Sequence, residues 1–143
     1  MQSDNIKIVI ATLGLEAHWR GAVTVAQMLR EFGVEVVYIG NAFPEEIIEV
    51  AIREDVSVVG VSSLSGGYLA LGNDLICLAR KKNIKDKVVF IIGGVFPPND
   101  YNELMNLGFD GVFGPGATGE EIYNFIRKAV TAKLADSTGN SIA

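Results

Sequence analysis

Short runs of consecutive apolar residues, rich in valine and isoleucine, alternate along the chain with longer segments in which apolar residues recur at helical spacing. Continuous apolar runs of this length are typical of strands buried on both faces of a parallel sheet. The pattern predicts five strands, at residues 6–11, 34–39, 56–62, 88–93 and 111–113. It also predicts five helices, at residues 21–32, 44–54, 68–82, 99–107 and 118–132.

Start and stop signals agree with these helix bounds. Gly33 and Gly108 follow helix ends, Pro44 falls in a first turn, and Thr118 precedes Glu121 by three residues, as in a capping box. Five β-α units with right-handed crossovers predict an α/β fold: a doubly wound five-stranded parallel sheet in the flavodoxin-like order 2-1-3-4-5. We expect one folded domain over residues 1–132 and a flexible C-terminal tail over 133–143, which is largely small and polar.

Composition and charge narrow the classes of protein. The 143 residues are 49% hydrophobic and 20% charged, which suits one domain with a sizeable core. The net charge is −5 with scattered lysine and arginine, so we expect neither nucleic acid nor a membrane as partner. The first residues lack the features of a secretory signal, and we expect a cytoplasmic protein. The single cysteine, Cys77, cannot form an internal disulfide or, with one histidine, a structural zinc site, and we expect it to be buried.

Glycines cluster after four of the five predicted strands. In an open α/β sheet the carboxyl ends of the strands form the edge where ligands bind, and in this strand order the switch point lies between the first and third strands. The loop that contains His18 and the loop after Ser62 would flank that crevice. The glycines in question are Gly14, Gly21, Gly66, Gly67, Gly93, Gly94, Gly114 and Gly116.

His18, the one histidine of the chain, has three possible roles: metal ligand, general base or ordinary polar residue. No complete phosphate-binding loop follows any predicted strand, because the segment 114–119 matches the dinucleotide spacing only with a proline between its glycines. The acidic cluster of a response regulator and the Gly-x-Ser-x-Gly motif of a hydrolase do not occur.

Three short motifs follow the first, third and fourth predicted strands: Glu16-x-His18-x-x-Gly21, Ser62-x-Leu64 and Gly93-Gly94. The first two are separated by 40 residues and the last two by 28. This arrangement resembles the cobalamin-binding signature Asp-x-His-x-x-Gly, Ser-x-Leu, Gly-Gly. The likeness covers most of the folded part and is strongest to the cobalamin-binding domains and small subunits of adenosylcobalamin-dependent acyl-CoA mutases, such as methylmalonyl-CoA mutase.

The resemblance implies that adenosylcobalamin is the cofactor and that His18 is its lower axial cobalt ligand, with the cofactor's nucleotide tail in the sheet crevice. In relatives an aspartate two positions earlier accepts a hydrogen bond from the other ring nitrogen of the histidine. Here that position holds Glu16, whose side chain is one methylene longer. We expect the contact to survive in altered geometry, and the alternative is a solvated Glu16 beside an unassisted His18.

The resemblance also assigns roles to the other motif residues. Ser62 and Ser63 would hydrogen-bond the benzimidazole end of the tail, with Leu64 packed on it. Trp19 would cover the corrin edge or anchor its own loop, and Thr118 would contact phosphate or only cap its helix. The full set of predicted cofactor-binding residues is Leu15, Glu16, Ala17, His18, Trp19, Arg20, Gly21, Ser62, Ser63, Leu64, Ser65, Gly66, Gly93, Gly94, Val95, Phe113, Gly114, Pro115, Gly116 and Thr118.

By this resemblance the chain is the cobalamin-binding small subunit of an acyl-CoA mutase, a carbon-skeleton isomerase. A chain of this length has no room for a substrate chamber, so we expect a hetero-oligomer with a large TIM-barrel subunit that binds the acyl-CoA, and no turnover by this chain alone. The main alternative is a corrinoid methyl carrier of a methyltransferase system. Such carriers normally have an N-terminal helical segment, whereas five residues precede the first predicted strand here. A cobalamin-delivery or sensing module, and a domain that has lost the cofactor, are further alternatives.

Overall fold

A computed structural model describes residues 6–14, 20–63 and 67–142, and of residues 20, 21 and 136–142 it describes the backbone alone. The five strands are β1 (Lys7–Leu13), β2 (Glu35–Ala42), β3 (Val58–Ser63), β4 (Val89–Gly94) and β5 (Gly111–Phe113). The five helices are α1 (Arg20–Glu31), α2 (Pro44–Arg53), α3 (Tyr68–Lys81), α4 (Pro98–Leu107) and α5 (Gly119–Ile142). Every predicted element is present, and most ends are shifted by three residues or fewer.

The strands form one parallel sheet in the order β2-β1-β3-β4-β5, which confirms the predicted topology. The order reverses between β1 and β3, and in an open α/β sheet this switch point at the carboxyl edge is where ligands bind. At this edge Thr12 of β1 is the register partner of Ser62 of β3, and Ser62 is the partner of Gly93 of β4.

The core has two layers, one on each face of the sheet. Helices α2, α3 and α4 cover one face, where Phe90 of β4 is fully buried, and α1 and α5 cover the other, where Ile8 of β1 is fully buried. Successive residues of each inner strand therefore alternate between the two apolar layers. This alternation determines which residues near the carboxyl ends of the strands face a ligand site.

The N-terminus of α5 forms the capping box that the sequence predicts. The backbone N–H of Glu121 donates to Thr118 Oγ1 at 3.1 Å, and the backbone N–H of Thr118 donates to Glu121 Oε1 at 2.8 Å. The other end of α5 differs from the prediction, because the helix continues past Ala132 to Ile142. The polar sequence there contains Gly139 but no proline, so nothing in it forces the helix to stop. The flexibility of residues 133–143 stays a prediction.

The prediction for Cys77 is wrong, because its side chain is exposed. Helix α3 turns Gly72, Leu75, Ile76 and Ala79 toward the core, and Cys77 falls on the outer side of that stripe. The expectation came from the usual burial of free cysteine, whereas helical spacing decides the outcome here. None of the helices in the described part of the chain combines the length and the hydropathy needed to cross a membrane.

Candidate functional site

A deep cavity of about 480 Å³ lies between the sheet and the helix pair α1 and α5. It extends from Gly94 and Pro115 at the carboxyl edge down to Ile8 in β1. Its volume falls within the roughly 300–1,000 Å³ usual for small-molecule sites. Its lining is almost entirely apolar, with Thr24 and Ser62 as the residues that carry hydroxyl groups. The cavity therefore suits a large, mainly apolar group that enters from the edge.

The sheet side of the cavity has glycine on two central strands. Gly93 of β4 faces open space, since a Cβ built there has only the carbonyl oxygen of Phe113 within 4 Å, at 3.7 Å. Gly60 of β3 is covered by its neighbours, because a Cβ there would lie 3.2 Å from Ile8 Cδ1 and 3.4 Å from Ile91 Cγ1. A larger residue at Gly93 would therefore occupy cavity space without striking other described atoms.

Gly94 has the opposite requirement. A Cβ at this position would overlap the carbonyl oxygen of Ser63 and lie 2.8 Å from Cζ of Phe96. The ends of β3 and β4 approach each other too closely for any side chain here. The two neighbouring glycines thus serve different purposes: Gly93 leaves room for a ligand, and Gly94 lets two strand ends pack together.

A buried hydroxyl without a partner lies beside the cavity. Thr12 is fully buried, and its Oγ1 has no hydrogen-bond partner among the described residues. It follows Ile10 by two residues, so it lies on the same face of β1, and it is in register with Ser62. A buried polar atom left unpaired destabilises the fold by about 1–3 kcal/mol. This hydroxyl lies next to the cavity lining, where a polar partner would stabilise the fold.

Helix α1 forms one wall with residues that the sequence analysis did not select. Ala22, Val25 and Met28 line the cavity at intervals of three residues. Ile122 of α5 lies on the same wall. The spacing of the apolar residues in α1 predicts that this helix is amphipathic, but it does not distinguish contact with a cavity from contact with the core. Gly60 did have a local signal, since an isolated glycine inside an apolar strand indicates a close approach or a ligand.

The structure brings seven of the predicted binding residues to this cavity. They are Ser62, Gly93, Gly94, Val95, Phe113, Gly114 and Pro115.

Three other predicted residues lie outside the lining. Ser63 is buried on the opposite face of β3, Gly116 is exposed in the loop after β5, and Thr118 is exposed and caps α5. For Thr118 the structure supports the capping role. Phosphate contact by Thr118 stays a prediction.

The remaining predicted residues cannot be placed in the cavity or outside it. Arg20 and Gly21 begin α1, but their side chains lie outside the described part of the chain. Eight others lie outside the described residues altogether: Leu15, Glu16, Ala17, His18, Trp19, Leu64, Ser65 and Gly66. Both segments connect directly to strand ends at the cavity edge, β1 for the first and β3 for the second.

The fold and cavity together define a doubly wound α/β domain that binds a small molecule at the carboxyl edge of its sheet. Residues 6–123 match the family model described as the B12 binding domain. The chain therefore belongs to the B12-binding domain family, as its three short motifs predict.

Individual relatives agree with this assignment. The 2-hydroxyisobutanoyl-CoA mutase small subunit of Aquincola tertiaricarbonis is 37% identical over 136 residues, which are 94% of this chain and 99% of that subunit. Methylmalonyl-CoA mutase of Rhizobium meliloti is 41% identical over 112 residues, which are 77% of this chain but only 15% of that enzyme. A cobalamin-binding protein from Desulfitobacterium hafniense shares the fold with a TM-score of 0.69 at 23% identity, over 76% of this chain and 52% of that one.

Proposed function

We propose that this chain is the cobalamin-binding small subunit of an adenosylcobalamin-dependent acyl-CoA mutase. One observation carries the proposal: the similarity to a mutase small subunit extends over 94% of this chain and 99% of that relative. The larger mutases match this chain over only a short part of their own length. Similarity to them alone therefore does not assign their complete activity to this chain. We expect the protein in the cytoplasm, as its composition suggests.

The cavity fits the nucleotide tail of cobalamin. The apolar walls suit the benzimidazole ring, Gly93 leaves space on the sheet side, and Thr12 and Ser62 offer hydroxyls at the edge where the tail becomes polar. We infer that Ser62 hydrogen-bonds the tail and that Phe113 and Gly114 hold its ribose and phosphate end. When bound, adenosylcobalamin would supply the radical chemistry of such mutases.

His18 is proposed as the lower axial ligand of cobalt. The support is its place in the motif Glu16-x-His18-x-x-Gly21 and the connection of this segment to β1, which ends at the cavity edge. A neutral imidazole is a suitable ligand for cobalt. Glu16 is proposed to accept a hydrogen bond from the other ring nitrogen, which would fix the orientation of His18.

A separate large subunit is proposed to bind the acyl-CoA and to cover the upper face of the corrin. The relative from Aquincola tertiaricarbonis is named as a small subunit, which supports the same division of labour here. In our proposal the nucleotide tail occupies the cavity, which leaves no space there for a substrate. The methyl-carrier alternative is supported by the general cobalamin motif alone.

An isomerisation assay on this chain, alone and together with its co-purified large subunit, tests this proposal. We expect acyl-CoA isomerisation only when both subunits and adenosylcobalamin are present, with each omission abolishing turnover. Isomerisation by this chain alone would contradict the proposed division of labour. Methyl transfer from methylcobalamin without isomerisation would favour the carrier function instead.

A further inference from the structure

Four side chains form a cluster on the face of the sheet opposite the cavity, here called the aromatic clasp: Tyr68, Phe96, Asp100 and Tyr101. The Tyr68 hydroxyl donates a hydrogen bond to Asp100 Oδ2. The ring of Phe96 lies between the two tyrosines, with its centroid 4.7 Å from that of Tyr68 and 5.7 Å from that of Tyr101. None of the four lines the cavity.

The clasp connects the loops that follow β3 and β4. Tyr68 is the first residue of α3, directly after the segment that begins with Ser62 and Ser63. Asp100 lies in the first turn of α4, which follows Gly93 and Gly94. The Tyr68–Asp100 hydrogen bond thus joins two segments that both carry predicted cofactor-binding residues.

The clasp also contacts the strand ends themselves. The ring of Phe96 packs directly against Gly94, where no Cβ fits. The Tyr101 hydroxyl lies against Gly114 after β5, so closely that a Cβ there would overlap it. Two strand ends at the cavity edge, those of β4 and β5, are therefore supported from behind by one packed group.

The hydrogen bond persists throughout the physiological pH range. The Asp100 carboxylate accepts a hydrogen bond from the neutral phenol of Tyr68, and the phenol is partly desolvated. Both effects raise the pKa of Tyr68, to about 12. The phenol is therefore neutral and able to donate wherever the protein functions.

We propose that Tyr68 and Asp100 are positioning residues for cobalamin, because their hydrogen bond ties the β4–α4 connection, which carries the cavity-lining residue Val95, to the first turn of α3. This inference rests on the proposed function. A binding site held in its bound geometry loses less entropy when the ligand binds. Without the bond, the cofactor itself must hold the β4–α4 connection in its binding geometry, and affinity falls although no contact to the cofactor has been removed.

Equilibrium binding of cobalamin to purified variants tests this role. The set comprises Tyr68→Phe, Asp100→Asn, Asp100→Ala and the double variant Tyr68→Phe/Asp100→Ala. Tyr123→Phe is the matched control, since its ring stacks on Phe32 at the α1–α5 surface, away from the clasp. The urea-induced unfolding of each cofactor-free variant is measured in parallel, so that a loss of affinity can be separated from a loss of stability.

We expect Tyr68→Phe and Asp100→Ala each to raise the dissociation constant about tenfold, the effect of losing one good hydrogen bond. The double variant should bind no more weakly than either single one, and Asp100→Asn should bind with intermediate affinity because its amide oxygen still accepts. The cofactor-free variants should lose some stability, because the bond also stabilises the fold, but each should remain fully folded in the absence of urea, where binding is measured. Unchanged affinity, additive effects in the double variant, or affinity losses that follow the losses of stability would each overturn the inference. If the parent chain itself fails to bind cobalamin, the proposed function falls with it.

Discussion

The ligand-facing side of the sheet depends on two residues of opposite character. Gly93 provides room by lacking a side chain, and Thr12 provides a buried hydroxyl that no other described residue pairs with. Both lie in the same edge row as Ser62, through the register of β1, β3 and β4. A change at either position should weaken ligand binding without destabilising the fold.

Gly93→Leu should fill part of the cavity. The new side chain meets no described atom closer than 3.7 Å at its Cβ, so the fold should tolerate it, while the nucleotide tail loses its space. We expect cobalamin affinity to fall at least tenfold, an energy of about 1.4 kcal/mol, with Gly93→Ala giving a smaller loss. Ala132→Leu, an exposed position on α5, is the control for added bulk. Unchanged cobalamin affinity in Gly93→Leu would mean that the nucleotide tail does not occupy this cavity.

Thr12→Val should raise the stability of the cofactor-free fold and lower its affinity for cobalamin. The substitution keeps the shape and removes a buried hydroxyl that has no partner, so the cofactor-free protein should become more stable by about 1–3 kcal/mol. Cobalamin affinity should fall in the same variant. Urea unfolding and equilibrium binding measure the two effects. A gain in stability without any loss of affinity would show that the cofactor does not use this hydroxyl.

Tyr68 should ionise well above the ordinary range of a phenol in the folded protein. Its pKa is raised from 10.0 to about 12, so its hydrogen bond contributes stability below pH 10 that is lost as the pH rises toward 12. In an alkaline titration followed by tyrosinate absorbance, Tyr68→Phe should remove the step near pH 12. Loss of an earlier step would contradict the structural assignment of the Tyr68–Asp100 bond.

At the scale of elements, helix α5 reaches further than its sequence suggests, and one lysine beyond the predicted end connects it to the sheet. Lys133 Nζ donates to the carbonyl oxygens of Lys85 and Val88, both at 2.6 Å, and lies 3.1 Å from Asp110 Oδ2. The same Asp110 oxygen accepts from the backbone N–H of Phe90 at 2.8 Å. Lys133 and Asp110 thus join α5 to the amino-terminal end of β4, at the sheet edge opposite the cavity mouth.

Lys133→Met should destabilise the protein by about 1–3 kcal/mol, because it leaves two carbonyl oxygens without their ammonium donor and removes one of the two lysines that face Asp110. Lys128→Met, an exposed lysine one to two turns earlier on the same helix, should have little effect. Urea unfolding distinguishes them. Truncation after residue 132 should cost at least as much as Lys133→Met. Full stability of that truncated chain would instead support a flexible tail that begins at residue 133.

The strands and most helix bounds were predictable because they depend on local patterns. A continuous apolar run predicts a buried strand, and the Thr118–Glu121 pair predicts a helix start, whatever surrounds them. The exposure of Cys77 and the continuation of α5 were missed for different reasons. Residue preference was used for Cys77 where helical position decides, and α5 has no stop signal where it was expected to end.

Considered as a whole molecule, the chain places its binding site where its topology requires. The three sequence motifs identified the edge and the family, since they follow strands that meet at the switch point. They did not identify the cavity face, because the choice between Ser62 and Ser63 depends on which layer each residue faces. The walls from α1 were missed for the same reason: spacing along a helix does not tell what lies opposite it.

The central claim is that cobalamin binds with His18 on cobalt and its own base in the cavity. His18 is the only histidine of the chain, so growth with ¹⁵N-histidine labels this imidazole alone. The electron paramagnetic resonance spectrum of the Co(II) form then tests the claim directly. We predict an axial-nitrogen triplet in the unlabelled complex that becomes a doublet on labelling and disappears in His18→Ala. A triplet that survives the labelling would mean that the cofactor keeps its own base on cobalt, which would contradict the claim.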